Sequence, residues 1–280
     1  MKEVIYWYLD CGDLYLVADT EREMKAILGL DKLHKIGWPP SRQRLIHHAV
    51  ESGFRAFDVA PMYGNGLCEY ELGVFLKNQS MKRAEFEINT KFGIPYISYG
   101  PVSRWIFFAA RGTELIVRKF MRQNESREYN EVALENSVNE SLTRLCTDYI
   151  DTLFLHEPIE GLEQDFSERL MNRLADMQRK GKIRSYGVSG CRPVVLSMIN
   201  SLQGSVLQMP IQNNFLFSIG GYRLNDFYVY GVRRLLKNNG KQNLSMVDYE
   251  SAALAAGATG YLYSTTRLDH LKIFSRLHFD

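Results

Sequence analysis

Several polar side chains stand at the ends of short apolar runs that are typical of buried strands. In chain order these residues are Asp58, Lys91, His156, Ser189, Gln208 and Tyr230. A further group, Tyr63, follows Asp58 by five residues on a stretch rich in turn-forming residues. Singly, each has an ordinary structural explanation, since a strand-end aspartate commonly caps the next helix. A carboxylate, an ammonium, an imidazole and a phenol together favour a site for acid–base chemistry.

The relative positions of these groups depend on an alternation of strand-like and helix-like segments. Strands are predicted over 55–60, 86–93, 151–156, 184–190, 205–212, 227–232 and 260–266. Amphipathic helical patterns lie between them, as in 41–53, where Ser41 is the predicted N-cap. Such alternation favours a parallel sheet, and seven or eight units favour a closed (β/α)8 TIM barrel. The carboxyl ends of barrel strands form the active face, so the polar groups should meet there.

The chain shows no composition break or low-complexity linker, which predicts a single barrel domain over 1–280. One connection departs from the alternation of strands and helices. It covers residues 94–130, follows the third strand and is rich in aromatic residues and arginine. Long connections in compact domains are more often functional than mere spacers. The aromatic residues of this connection could stack on a sugar or pack the loop onto the barrel; they are Tyr96, Tyr99, Trp105 and Phe107.

Composition excludes several other classes of protein. The chain has 280 residues, of which 45% are hydrophobic and 24% charged, which suits a globular protein with a sizeable core. The formal net charge is only +2, so bulk charge indicates neither a nucleic-acid nor a membrane partner. Four scattered cysteines without a CxxC spacing predict free thiols rather than a disulfide framework or a metal site. The N-terminal stretch lacks the pattern of a signal peptide, and we expect a soluble, cytoplasmic protein.

The segment "GFRAFDVAPMYGNGLCEYELG", residues 53–73, resembles the N-terminal signature of the aldo-keto reductases. In that signature an aspartate and a tyrosine are five residues apart and Glu-x-x-x-Gly closes the motif, here Glu69 and Gly73. "NTKFG" resembles the strand that carries the family's lysine, and "YIDTLFLHEP" the strand that carries its histidine. "GKIRSYGVSG" is similar to the following strand, and the resemblance extends over roughly residues 27–277.

The resemblance assigns catalytic roles to Asp58, Tyr63, Lys91 and His156. Reducing a carbonyl with hydride needs an acid near the developing alkoxide, and a phenol with its usual pKa of about 10 is a poor acid at neutral pH. Lys91 is expected to lower the pKa of Tyr63, and Asp58 to hold Lys91 charged and in place. His156 is expected to orient the carbonyl oxygen or to share the proton.

The resemblance also implies a nicotinamide cofactor, with NADP(H) preferred and NAD(H) as the alternative. No GxGxxG follows a predicted strand, so no Rossmann domain is implied. Ser189 and Gln208 match positions that hold the carboxamide, and Tyr230 matches one that stacks on the nicotinamide. The remaining positions for the cofactor belong to the corner "STTRLDHL", and they are Ser264, Thr265, Thr266, Arg267 and His270.

The predicted NADPH preference depends on Arg267, which is always charged, whereas His270 is mostly neutral at pH 7. The alternative is that Arg267 only pairs with Asp269 or faces solvent. Four departures from the family pattern bear on cofactor binding: Gly190 stands where the family usually has Asn, Asp31 where it has Gly, and Ile273 and Phe274 where it has Glu and Asn.

The sequence therefore predicts an NAD(P)H-dependent reductase of a small aldehyde, ketone or sugar carbonyl. The alternative is an aldo-keto-reductase-like protein that binds a nucleotide with little turnover, or an enzyme that uses the same groups for a non-redox step. A metal-dependent barrel hydrolase is disfavoured, because the strand ends lack the His and Asp clusters that a metal needs. The pattern does not indicate the oligomeric state.

Overall fold

The computed structural model of the protein describes residues 5–10, 13–18, 24–96, 127–162, 168–198, 205–212 and 226–274. The strands are β1 (Ile5–Asp10), β2 (Asp13–Ala18), β3 (Lys25–Gly29), β4 (Ala56–Asp58), β5 (Glu87–Phe92), β6 (Ile150–His156), β7 (Ile183–Ser189), β8 (Val206–Pro210), β9 (Asp226–Tyr230) and β10 (Gly260–Tyr263). The α-helices are α1 (Pro39–Glu51), α2 (Leu67–Asn78), α3 (Glu131–Leu145), α4 (Glu168–Arg179), α5 (Arg192–Ser197), α6 (Val232–Asn238) and α7 (Met246–Ala255). Short 3-10 helices cover Leu33–Lys35, Arg83–Glu85 and Leu268–Phe274.

Strands β3 to β10 close into a barrel, in which β10 pairs with β3 and every other pair is between neighbours in sequence. All of these pairings are parallel, as in β6 and β7, where Leu153 lies opposite Tyr186 and His156 opposite Ser189. The predicted (β/α)8 TIM barrel is confirmed. Because the strands are parallel, their carboxyl ends share one face of the barrel, which is where the predicted site residues lie.

The barrel strands are apolar because both of their faces are covered. All seven residues of β6 are buried, which explains the near-continuous apolar run in the sequence. A small buried cluster drawn from the strands alone fills the barrel interior and consists of Ile27, Ala56, Phe154, Val206 and Tyr228. A larger cluster packs the surrounding helices onto the outside of the strands. This rigid frame fixes the strand ends from which the site is built.

Helix α2 is held against α3 by the two residues that close the signature motif. A Cβ added to Gly73 would lie 2.0 Å from the carbonyl oxygen of Arg144, so only glycine allows the helices to approach this closely. Glu69 is fully buried and accepts hydrogen bonds from Thr90 Oγ1 at 2.5 Å and from Arg144 Nε at 2.7 Å. Glu69 and Gly73 therefore hold α2 closely against α3 and β5.

Local structure differs from the sequence prediction in one helix and one strand. Helix α1 begins at Pro39 with Trp38 as N-cap, so Ser41 lies within the first turn and does not cap the helix. The reason is that proline suits the first helical positions, where its fixed φ and missing N–H carry no cost. Strand β9 ends at Tyr230, because Gly231 adopts a positive φ of 80° and begins the turn into α6.

The N-terminal segment forms a hairpin that the sequence analysis missed. Strands β1 and β2 pair antiparallel, from Ile5 opposite Ala18 to Asp10 opposite Asp13. The aromatic residues Tyr99, Trp105 and Phe107 of the long connection lie outside the described residues, and Tyr96 hydrogen-bonds Glu140. No helix within the described ranges is long and apolar enough to cross a membrane.

Candidate active site

A cavity of about 590 Å³ opens at the carboxyl ends of the barrel strands. Among the residues that line it are seven predicted from the sequence, namely Asp58, Tyr63, His156, Ser189, Gln208, Tyr230 and Ser264. Lys91 lies beneath this cavity, where its side chain is 1% exposed. The residues matched to the catalytic segments thus come together, although almost a hundred residues separate the first from the last.

The carboxylate of Asp58 and the ammonium of Lys91 form a buried ion pair at the base of the cavity. Lys91 Nζ donates to Asp58 Oδ1 and, at 3.0 Å, to the carbonyl oxygen of Val59. Burial raises the pKa of Asp58, while Lys91 and a hydrogen bond from Gln208 oppose that rise. A buried ion pair persists only when its remaining hydrogen-bonding positions are satisfied, and here both partners have additional contacts.

Tyr63 lies above this ion pair, with Lys91 Nζ 4.9 Å from the centroid of its ring. The chain reverses directly after it, through Gly64, Asn65 and Gly66, all with positive φ. This turn leads into α2 and leaves the ring of Tyr63 facing the cavity. The turn-forming residues therefore fix the position of the phenol.

The expectation that Lys91 lowers the pKa of Tyr63 is wrong for this structure. Burial is the largest influence and raises the pKa of Tyr63 well above its usual value, and the carboxylates of Asp58 and Asp31 raise it further. Lys91 contacts Asp58 directly, and burial together with the nearby carboxylates outweighs the effect of its charge on the phenol. The phenol is therefore protonated at neutral pH, which is the form that an acid must have.

His156 meets Tyr63 edge to face, with ring centroids 5.8 Å apart and an angle of 85° between the planes. Burial lowers the pKa of His156 well below its usual value, and the cations Lys91 and Arg127 lower it further. The imidazole is therefore neutral at pH 7 and has one N–H to donate. Tyr129 holds the end of β6 in place, because its hydroxyl donates to the carbonyl oxygen of His156 at 2.8 Å.

Ser189 and Gln208 continue the hydrogen-bond chain that begins at Lys91. Ser189 Oγ donates to Gln208 Oε1 at 2.5 Å, and Gln208 Nε2 donates to Asp58 Oδ2 at 2.8 Å. The three side chains are buried, at 4%, 1% and 1% exposure respectively. The Gln208 amide retains a second N–H, so it can still donate to a ligand in the cavity.

The other predicted positions at the cavity mouth lie on β9 and β10. Tyr230 ends β9 half-buried, and burial raises its pKa to about 12. Ser264 follows β10, and a Cβ added to Gly29 would lie 2.5 Å from its Oγ. Glycine at the end of β3 therefore allows the mouth of the cavity to narrow against Ser264.

The structure does not place the rest of the corner 264–271 on the cavity. Thr265 Oγ1 accepts a hydrogen bond from the backbone N–H of Arg267 at 3.1 Å, which closes a turn within the corner. Arg267 pairs with Asp269 through two hydrogen bonds, at 3.0 and 2.6 Å. Thr266 and His270 are also absent from the residues that line the cavity. The assignment of Thr265, Thr266, Arg267 and His270 to the cofactor stays a prediction.

The sequence analysis missed a group of cations at the cavity, which comprises Lys32, Arg233, Arg234 and Lys237. Three of these residues lie on α6, the helix that directly follows β9. The signal was present in "YGVRRLLKN", because a helix that begins just after a barrel strand starts at the active face. Arg234 lies close enough to Tyr230 to affect the pKa of its phenol. The charge of Arg234 lowers that pKa, whereas burial raises it.

The structure shows the surroundings of three of the departures from the family pattern. A Cβ on Gly190 would lie 3.2 Å from Pro158 Cδ and 3.3 Å from Glu157 Cα. A larger residue at this position would therefore require the segment that follows β6 to shift. Phe274 is buried among aromatic rings, with its centroid 4.6 Å from that of Tyr263. Asp31 lines the cavity itself.

Comparisons with known proteins agree with this fold. The model of the aldo/keto reductase family matches residues 29–242. L-galactose dehydrogenase of Arabidopsis thaliana is 28% identical over 146 residues, which cover 52% of this chain and 37% of that protein. D-threo-aldose 1-dehydrogenase of a Pseudomonas species is 34% identical over 116 residues, which cover 41% of this chain and 33% of that protein. The chain thus spans less than half the length of these two curated relatives.

Two solved structures share the barrel at low sequence identity. An aldo-keto reductase from Bacillus halodurans superposes with a TM-score of 0.64 and 18% identity, over 95% of this chain and 88% of that one. Glycerol dehydrogenase from Gluconobacter oxydans gives a TM-score of 0.60 and 19% identity, over 93% and 88% of the two chains. At this identity the likeness establishes the fold alone.

Proposed function

Because the chain belongs to the aldo/keto reductase family of oxidoreductases, we propose that it reduces the carbonyl of a small aldehyde, ketone or sugar with NAD(P)H. The observation that supports this most is the position of Tyr63 at the cavity. Its phenol is protonated, lies over the Lys91–Asp58 ion pair and meets the neutral ring of His156. This is the arrangement that protonation of a developing alkoxide requires.

The residues of the cavity fit a nicotinamide dinucleotide. The cavity volume of about 590 Å³ suits a ligand of that kind. Ser189 and Gln208 would hold the carboxamide at the base, with the half-buried ring of Tyr230 against the nicotinamide. Arg233, Arg234 and Lys237 would hold the phosphates. A guanidinium group can donate two parallel hydrogen bonds to two oxygens of one phosphate, and the lysine ammonium adds a positive charge. When bound, NAD(P)H supplies the hydride.

The protein's own groups would then act on the carbonyl oxygen. His156, neutral and buried, would donate its N–H to that oxygen and orient it. Tyr63 would transfer its phenolic proton to the same oxygen as negative charge develops there. Lys91, 4.9 Å from the centre of the tyrosine ring, would stabilise the phenolate that remains, and Asp58 would hold the lysine in position.

One observation favours the second candidate, a protein that binds nucleotide with little turnover. The amide of Gln208 is already engaged by Asp58 and Ser189, so a carboxamide would have to share it. The test is to measure oxidation of NADPH and of NADH by the purified full chain with a panel of aldehydes, ketones and aldoses. Turnover that disappears in Tyr63→Phe supports the reductase. Nucleotide binding without turnover, measured by intrinsic fluorescence, would support the second candidate instead.

A further inference from the structure

The carboxylate of Asp31 lies at the cavity without any part in the chemistry proposed above. Asp31 comes two residues after β3 and lines the cavity, and its Oδ1 is buried with no hydrogen-bond partner among the described residues. A Cβ built on Gly29 would lie 3.8 Å from this oxygen, which places the oxygen at the mouth of the barrel near Ser264. A buried carboxylate oxygen without a donor is costly, so we expect a ligand to supply one.

Charge is distributed unevenly over this cavity. Arg233, Arg234 and Lys237 belong to α6, beyond the carboxyl end of β9. The reacting end holds carboxylates as well as the cations Lys32 and Lys91. Asp31 and Glu157 both lie near enough to Tyr63 to raise the pKa of its phenol. An anion is therefore favoured more strongly near α6 than near the phenol.

We propose that Asp31 is a specificity-determining residue that accepts a hydrogen bond from a hydroxyl or ammonium group of the carbonyl substrate. An ionised carboxylate only accepts hydrogen bonds, so it selects ligands that carry donors. It also repels a substrate that carries a carboxylate of its own, because like charges at short range oppose binding. This inference rests on the proposed function for the identity of the reaction. The ribose hydroxyls of the cofactor have the same chemistry, and the test must separate the two sources.

Three sugars that differ in one group provide the probes. They are D-glucosamine, with an ammonium in place of one hydroxyl, D-glucose, and D-glucuronate, with a carboxylate at the end of the chain. Hexanal has the same carbon number and no hydroxyl group. Binding of each sugar is measured by quenching of intrinsic fluorescence, which needs no turnover, and kcat/KM is measured for all four with NADPH.

The wild type should bind glucosamine at least as well as glucose, and glucose better than glucuronate. Asp31→Ala should reduce kcat/KM for glucose and glucosamine by at least about tenfold, the lower end for a hydrogen bond to a charged group. Hexanal should be unaffected, and the discrimination against glucuronate should disappear. Asp148→Ala, which changes an exposed aspartate ahead of β6, is the matched control and should behave as the wild type.

The possible failures are distinguishable. If the wild type reduces these aldehydes and Asp31→Ala retains the same ratios among them, the role of Asp31 is overturned. A loss confined to NADPH affinity would assign Asp31 to the cofactor's ribose and overturn its role in substrate selection. If no carbonyl is reduced but the binding order of the sugars depends on Asp31, the reductase function fails and the role of Asp31 stands.

Discussion

Gln208 donates a hydrogen bond to Oδ2 of Asp58 at 2.8 Å, on the opposite oxygen from the one that Lys91 contacts. This bond joins the residue proposed to hold the carboxamide to the ion pair below Tyr63. A ligand that takes hydrogen bonds from Gln208 therefore acts on the same carboxylate that positions Lys91. If Gln208 holds the carboxamide as proposed, cofactor binding and the acid–base group are linked through one buried amide.

The first prediction concerns this bond. Gln208→Leu should weaken NADPH and NADH equally, because both carry the same carboxamide, by about two- to tenfold for a neutral hydrogen bond. It should also lower kcat, since Asp58 loses a partner. Ser189→Ala is the comparison, because it removes a contact to Gln208 and leaves the bond to Asp58. Titration by fluorescence and steady-state kinetics measure both effects. Unequal weakening of the two cofactors would contradict the assignment.

The second prediction is that Tyr63→Phe removes turnover and leaves cofactor affinity near that of the wild type. A positioned proton donor contributes about 10²–10⁴-fold, so kcat should fall by at least about that factor. The fold should persist, because the ring and its edge-to-face contact with His156 remain. If Tyr63→Phe keeps full activity on any carbonyl that the wild type reduces, Tyr63 is not the acid.

The third prediction separates the stability of the buried ion pair from its role in catalysis. Lys91→Met should lower kcat nearly as much as loss of Tyr63, and Asp58→Asn should lower it less, because Asp58 acts through the lysine. Lys91→Met should also lower the free energy of unfolding by about 3–5 kcal/mol, since it leaves a buried carboxylate unpaired. The double variant Asp58→Asn/Lys91→Met should recover much of that stability and none of the activity. Denaturant unfolding and kinetics on the three variants check both parts.

The strand ends could be predicted from the sequence because a parallel barrel leaves little freedom in where they lie. Asp58, His156 and Ser189 end their strands and Gln208 lies in the middle of β8, and the rule that strand ends share one face brought these residues together correctly. The same rule predicted that Lys91 would lie near Asp58, more than thirty residues away in the chain. Periodicity and strand order were sufficient for this part of the site.

The electrostatics of the site could not be predicted in the same way. The direction of the Tyr63 pKa depends on how deeply the ring is buried and on the carboxylates around it, and residue spacing gives neither. Arg267 was expected at a phosphate, yet a bidentate contact with Asp269 two residues away engages it. Ion pairing between neighbouring surface residues depends on side-chain geometry, which the sequence does not show. The fold depends on the pattern of apolar residues along the chain, which the sequence does show.

The fourth prediction is a reduction rate that changes little between about pH 7 and pH 9. Reduction needs the phenol protonated, and the pKa of Tyr63 is raised well above its usual value of about 10. His156 does not titrate in this interval, because its pKa is lowered well below its usual value of about 6.5. On the alkaline side, activity should therefore begin to fall only above about pH 10. Asp31→Asn removes a charge that raises the pKa of Tyr63, so the alkaline fall should begin at lower pH, whereas Asp148→Asn should leave it unchanged.

The last prediction concerns which cation distinguishes NADPH from NADH. Arg234 lines the cavity and has no carboxylate partner in the part of the chain that the structure describes, whereas Arg267 is paired with Asp269 outside the cavity lining. Arg234→Ala should weaken both cofactors, because both carry the pyrophosphate. Arg267→Ala weakens NADPH alone if Arg267 leaves Asp269 to bind the 2′-phosphate. Asp269→Asn frees Arg267 and should then strengthen NADPH binding and leave NADH unchanged. If Arg267→Ala and Asp269→Asn both leave the affinity ratio of the two cofactors at its wild-type value, Arg267 does not read the 2′-phosphate.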